Sequence, residues 1–146
     1  MNQKVKDKAL TALDNMKEII KNERIVHGEY ATCDVNPEFK TQTCSGRKYC
    51  LLGAAWAGYG VRYDAPRGGL PGVEEYERPD FLANRPALRA VYNALNAAAE
   101  DYAERDTSVS VSGWESPAEA LFENNDLGRT ELLRLVNNAK RKIARA

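Results

Sequence analysis

Apolar side chains recur every three or four residues over the first twenty positions: Val5, Ala9, Ala12 and Leu13, Met16, then Ile19 and Ile20. Lysines and acids fill the intervals. This period predicts an amphipathic helix over 3–22. The period is lost over 24–46. There "RIVHGEYAT" has the character of a strand, and "CDVNPEFKTQTCSG" is turn-rich, with an Asn-Pro and a Ser-Gly. Together they predict a short β-ribbon within 24–46.

Helical character returns over 48–59, "KYCLLGAAWAGY", and Gly60 supplies a stop. Residues 61–85 are rich in glycine and proline and predict one long loop. Pro86 is suited to a first helical turn. Leu88, Val91 and Tyr92, Leu95, Ala98 and Ala99, then Tyr102 follow on one face. The polar–apolar alternation of "DTSVSVSG" at 106–113 suits an edge strand or a linker. "SPAE" at 116–119 has the Ser-x-x-Glu pattern of a capping box, which predicts a short helix through about Phe122. A last helix over 130–144 turns Leu132, Leu133, Leu135, Val136, Ala139 and Ile143 inward.

These elements describe a single domain, residues 1–146, that is mostly α (α+β), with about four main helices. Its expected core is Leu13, Met16, Ile20, Leu52, Trp56, Leu88, Val91, Leu95, Leu121, Leu132, Leu135 and Val136.

Composition narrows the function. The chain has 146 residues, no formal net charge and no apolar run long enough for a membrane helix. Without a secretory leader or a span, a cytoplasmic protein is expected. The charge is unevenly spread. Residues 1–24 carry a balance of +2, residues 25–128 of −7, and residues 129–146 of +5. The basic tail therefore belongs to an acidic body. A chain neutral overall is a poor match for a dedicated nucleic-acid binder. The three cysteines, Cys33, Cys44 and Cys50, are read as free thiols in a reducing compartment.

Three constellations carry candidate chemistry. The first is a nucleophile: Cys50 at a helix start, with Arg47 and Lys48 before it, favours a thiolate. The single histidine, His27, is its only histidine base, with Asp126 or Asn125 to orient the ring. The plainer reading makes Cys50 a small hydrophobe packed beside Gly53 and Ala54, and no catalytic residue is assigned on this basis. The second is zinc. His27, Cys33, Cys44 and Cys50 are chemically sound ligands, yet their intervals of five, ten and five residues lack the short knuckles of structural sites. The expectation is no metal and no cofactor.

The third is the turn "NNDLGRT" at 124–130. Asp126 or Thr130 can cap the last helix there, and Gly128 permits a positive φ. Free amides together with Arg129 would hold a phosphate or carboxylate. The plainer reading is a salt bridge, in which Arg129 pairs an acid and locks the turn onto the core. Separately, Gly53, Ala54, Ala57 and Gly58 lie three and four residues apart. They form a small-residue groove bordered by Trp56 and Tyr59, open to another helix, to the chain's own first helix, or to a ligand.

The Cys-x-x-Gly-Ala stretch, Cys50, Gly53 and Ala54, and the Asn-Asp-x-x-Gly-Arg-Thr turn, Asn125, Asp126, Gly128, Arg129 and Thr130, occur in this order after an N-terminal helix. In this the chain resembles an uncharacterised family of small proteins of actinobacteria and their phages. The 61–85 loop and the 106–113 stretch have no counterpart in that pattern. The resemblance implies a fold and a source, and, if the protein is phage-encoded, the host cytoplasm. It implies no activity. The expected function is a non-enzymatic binding protein for a protein partner or a small ligand. Alternatives are a nucleotide or anion binder using Arg129, Gly128, Thr130, Asn125 and Asp126 with Arg47 or Arg62, and a hydrolase dependent on Cys50 and His27.

Overall fold

In a computed structural model of the chain, residues 1–22, 25, 31–33, 47–60, 84–106, 109–111, 116–125 and 127–146 are described, with backbone alone at 31–33, 47–49 and 123–125. Five helices account for most of these: α1 Gln3–Lys21, α2 Leu51–Tyr59, α3 Pro86–Arg105, α4 Pro117–Asn125 and α5 Arg129–Ala144. The 61–83 part of the expected long loop lies outside the described residues.

The expected ribbon within 24–46 needs correction. Strand β1, Ala31–Cys33, pairs antiparallel with β2, Arg47–Tyr49, Ala31 standing opposite Tyr49. The second strand thus falls just beyond the predicted span and takes the place of the first turn expected for the 48–59 helix. The reason is a cap. Cys50 has extended backbone and caps α2, so the helix begins only after it, while Arg47–Tyr49 pair with β1.

The helix faces follow the sequence period. α1 buries Ala9, Ala12, Leu13, Met16 and Ile20; α3 buries Leu88, Val91, Leu95, Ala98 and Ala99; α5 buries Leu132, Leu135, Val136, Ala139 and Ile143. With Leu52, Trp56 and Leu121 they form one continuous core, and every residue of the expected core is in it. Burial of such side chains contributes about 1.5–3 kcal/mol each before chain entropy is set against it.

α2 is the central element. Leu51 through Trp56 are all buried, as is Gly58, leaving only Ala57 and Tyr59 half-buried. A helix enclosed on all sides needs small residues where neighbouring backbones come close. Gly58 meets that need: a Cβ built on it would lie 2.5 Å from the Ala12 carbonyl oxygen and 3.1 Å from the Met16 nitrogen. The chain's own first helix therefore fills the small-residue groove at Gly58. Asn15 Nδ2 donates to the Gly58 carbonyl at 3.0 Å across the same contact. Gly60, at φ 110°, ends α2 in a left-handed cap that a residue with a Cβ would strain.

α5 lies across α1 and α3, and each seam carries an ion pair. Lys140 reaches Asp14 of α1, and Lys142 reaches Asp101 of α3 at 2.7 Å. α1 and α5 run antiparallel. Lys6 near the start of α1 donates to the Ala146 carbonyl, and Arg129 at the start of α5 donates to the Lys21 carbonyl at the end of α1.

Candidate functional site

Cys50 is the N-cap of α2. Its Sγ accepts from the Gly53 amide at 3.3 Å, the role an oxygen of Ser, Thr, Asp or Asn usually fills. The side chain is 1% exposed. Its surroundings oppose the activated thiolate of the nucleophile alternative. Burial pushes the Cys50 thiol well above its ordinary range. The Glu119 carboxylate raises it further, by its charge and by accepting a hydrogen bond from the thiol. The Gly53 and Leu52 amides pull the other way and are the smaller effect. A thiol in this setting stays protonated near neutral pH and is a weak nucleophile.

Of its expected companions, His27 and Asp126 lie outside the described residues, and Asn125 is placed by its backbone alone, as the last residue of α4. The residue facing Cys50 is Glu119, 69 positions away, which the sequence marked only as half of a capping box. The other half forms as expected: Ser116 Oγ accepts from the Glu119 amide at 3.3 Å. Asn96 of α3 completes the start of α4. Its Oδ1 accepts from the Ala118 amide at 3.0 Å and from the Ser116 hydroxyl at 3.1 Å.

Of the four zinc candidates, His27 and Cys44 lie outside the described residues. Cys33 is placed by backbone in β1, and Cys50 is the buried cap just described. Among the described residues no three His, Cys, Asp or Glu side chains gather as a metal would need.

The turn at 124–130 is built differently from the expectation. Gly128 is itself the N-cap of α5, with extended backbone at φ −73° and no positive φ. Among the described residues no side chain caps the helix there. Thr130 is in the first turn and exposed, so it does not cap, and Asp126 lies outside the described residues. The Glu131 carboxylate turns back toward this end, with Oε2 3.0 Å from where a Gly128 Cβ would stand. An acid at that position complements the positive end of the helix, where an external anion would otherwise sit. Arg129 is exposed, and its guanidinium reaches back to the Lys21 carbonyl at 3.5 Å.

Trp56, expected at the border of a groove, is fully buried in the core. Tyr59 is half-buried, with the Lys8 ammonium 4.6 Å from its ring centroid, a cation–π contact between α1 and α2. Arg47 is placed by backbone in β2, and Arg62 lies outside the described residues.

The basic tail divides into two groups that the sequence did not separate. Lys140 and Lys142 are paired across the seams of α5, whereas Arg134, Arg141 and Arg145 are exposed. No helix among the described residues is long and apolar enough to cross a membrane. Compared with protein families, curated proteins and solved structures, the chain matches none.

Proposed function

We propose that this protein acts by binding, without catalysing a reaction, as a small helical module of the cytoplasm. The observation that supports the reading is the state of Cys50. The best candidate nucleophile in the sequence is a buried helix cap held in its protonated form beside Glu119. Arg129 and Trp56 likewise serve the fold, one bridging α5 to α1 and the other filling the core. What these leave for recognition is the molecular surface. The resemblance to small phage and actinobacterial proteins is consistent with a partner inside a bacterial cell.

Alkylation followed by peptide mass spectrometry tests this. The native protein, treated with iodoacetamide near pH 7.5, is expected to leave Cys50 unmodified until denaturant is added. Rapid labelling of Cys50 in the folded state would overturn the reading and restore the Cys50/His27 hydrolase.

A further inference from the structure

We propose that the outer face of α5 and its C-cap residue, formed by Arg134, Arg141 and Arg145, docks the phosphate backbone of a nucleic acid. This rests on the reading of the protein as a binding module and names its partner.

The geometry comes from the helical repeat. At 3.6 residues per turn, positions 134, 141 and 145 fall within an arc of about 40° and span about 16 Å along the axis. Of the core side chains of α5, Leu132, Val136, Ala139 and Ile143 lie on the opposite side and Leu135 on a flank. Lys140 and Lys142 fall on the two flanks, where Asp14 and Asp101 neutralise them. The internal acids therefore meet the flanking lysines and leave the arginines between them facing solvent. Among the described residues no carboxylate lies within ion-pair distance of the three guanidinium groups. Glu131, the acid nearest along the helix, turns back to Gly128.

The chemistry favours phosphates over a protein surface. Arginine presents a planar fork that grips phosphate oxygens in pairs. A run of about 16 Å passes several phosphates of one strand, which advance about 3.4 Å apiece. A protein interface is anchored by aromatic or aliphatic side chains at its centre. The outer face offers Thr130 and Asn137 beside the arginines, and among the described residues the only large hydrophobic side chain exposed is Met1. The zero net charge of the chain conceals this local surplus.

The test is fluorescence anisotropy of the full chain with a labelled duplex of arbitrary sequence, about 30 base pairs long, at several salt concentrations. Three phosphate contacts predict a slope of log K against log salt near −2.7, a loss of about forty-fold between 50 and 200 mM. The triple variant Arg134→Gln, Arg141→Gln, Arg145→Gln is expected to bind at least tenfold more weakly and to flatten the slope. A charge-matched control on α1, Lys4→Gln, Lys8→Gln, Lys21→Gln, is expected to retain most of the affinity. All six side chains are exposed, and circular dichroism with thermal melting checks that both variants fold. Absence of binding at low salt overturns the proposal, as does equal loss in the two variants. Competition by polyglutamate as effective per charge as that by duplex would also overturn it. That last result points to an acidic polypeptide and leaves the binding-module reading intact.

Discussion

Gly58 of α2 lies against the backbone of Ala12 in α1, so closely that a methyl group on Gly58 would stand 2.5 Å from the Ala12 carbonyl oxygen. The obstacle is backbone, which cannot swing aside as a side chain can. Gly58→Ala raises intrinsic helix propensity by about 1 kcal/mol, yet it must push α1 off the core. The expected net result is a loss of about 1–3 kcal/mol, as for other overpacked interiors. Urea unfolding measures it as a lower midpoint with an unchanged slope. An unchanged or raised midpoint would mean the two helices are not in this contact.

Asn96 secures the start of α4 from outside that helix. Its side-chain oxygen accepts from the Ala118 amide and the Ser116 hydroxyl, two donors in a partly buried site. Asn96→Ala leaves both without this acceptor and is expected to lower stability by about 1–3 kcal/mol. Asn96→Asp keeps an oxygen in place and is expected to lose less. If the two substitutions have equal effect in thermal or urea unfolding, the acceptor role is wrong.

The helix faces were legible because they are local. Leu13, Met16 and Ile20 announce their side of α1 by spacing alone, and Pro86 and "SPAE" mark two helix starts within a few residues. What was hidden depends on distant partners. Nothing near Cys50 indicates that Glu119 will face it, or that the cap of α2 will be a sulfur. Asn96 reads as one more polar residue on α3 until α4 packs beside it. Gly128 is ambiguous for a different reason: glycine serves both left-handed turns and extended N-caps, and local sequence does not choose between them. The charge of the last eighteen residues was visible, but its division into paired lysines and exposed arginines requires α1 and α3 to be in place.

Arg129 bridges the start of α5 to the end of α1 at a solvent-exposed position. A hydrogen bond there contributes little, so Arg129→Ala is expected to reduce stability by about 0.5–1 kcal/mol. The anion reading makes a separate forecast: phosphate or nucleotide would raise the melting temperature of the native chain and not of the variant. With the Glu131 carboxylate already turned to that helix end, equal and small shifts in both proteins are expected. A selective shift in the native protein would reinstate the site.

Asp101 tests the seam between α3 and α5. The Lys142 hydrogen bond holds its carboxyl below the usual range, against a smaller opposing effect of burial, with the Lys142 charge, an Asn138 hydrogen bond and the Arg105 charge also lowering it. A lowered folded pKa means the unfolded chain takes up the proton first as pH falls. The stabilisation is therefore present above the ordinary aspartate value of about 3.9 and is lost as pH falls toward the folded one. The side chains of both partners are about a third exposed, so solvent screening limits the pair to about 0.5 kcal/mol. Asp101→Asn should reduce stability by that amount at pH 7 and by almost nothing at pH 2. A difference that persists in acid would assign the effect to packing.

Cys50 gives the opposite pH dependence. Its folded pKa is raised, so the unfolded chain loses the thiol proton first as pH climbs. The associated stability is complete below the ordinary thiol pKa of about 8.5. It declines above that value for as long as the folded thiol keeps its proton, because burial and Glu119 disfavour the thiolate only in the folded state. Cys50→Ala removes this titration together with the cap to the Gly53 amide. At pH 7 the variant should be less stable by about 1 kcal/mol, the usual loss for an N-cap replaced by alanine. Between pH 8.5 and 10 the native protein should lose stability faster than the variant, so the gap closes. Taking the difference between the two cancels the lysines, tyrosines and other cysteines that titrate in the same range. Urea midpoints at four or five pH values suffice. A gap that widens with pH would mean that the folded state favours the thiolate, which is the behaviour of a nucleophile and not of a buried cap.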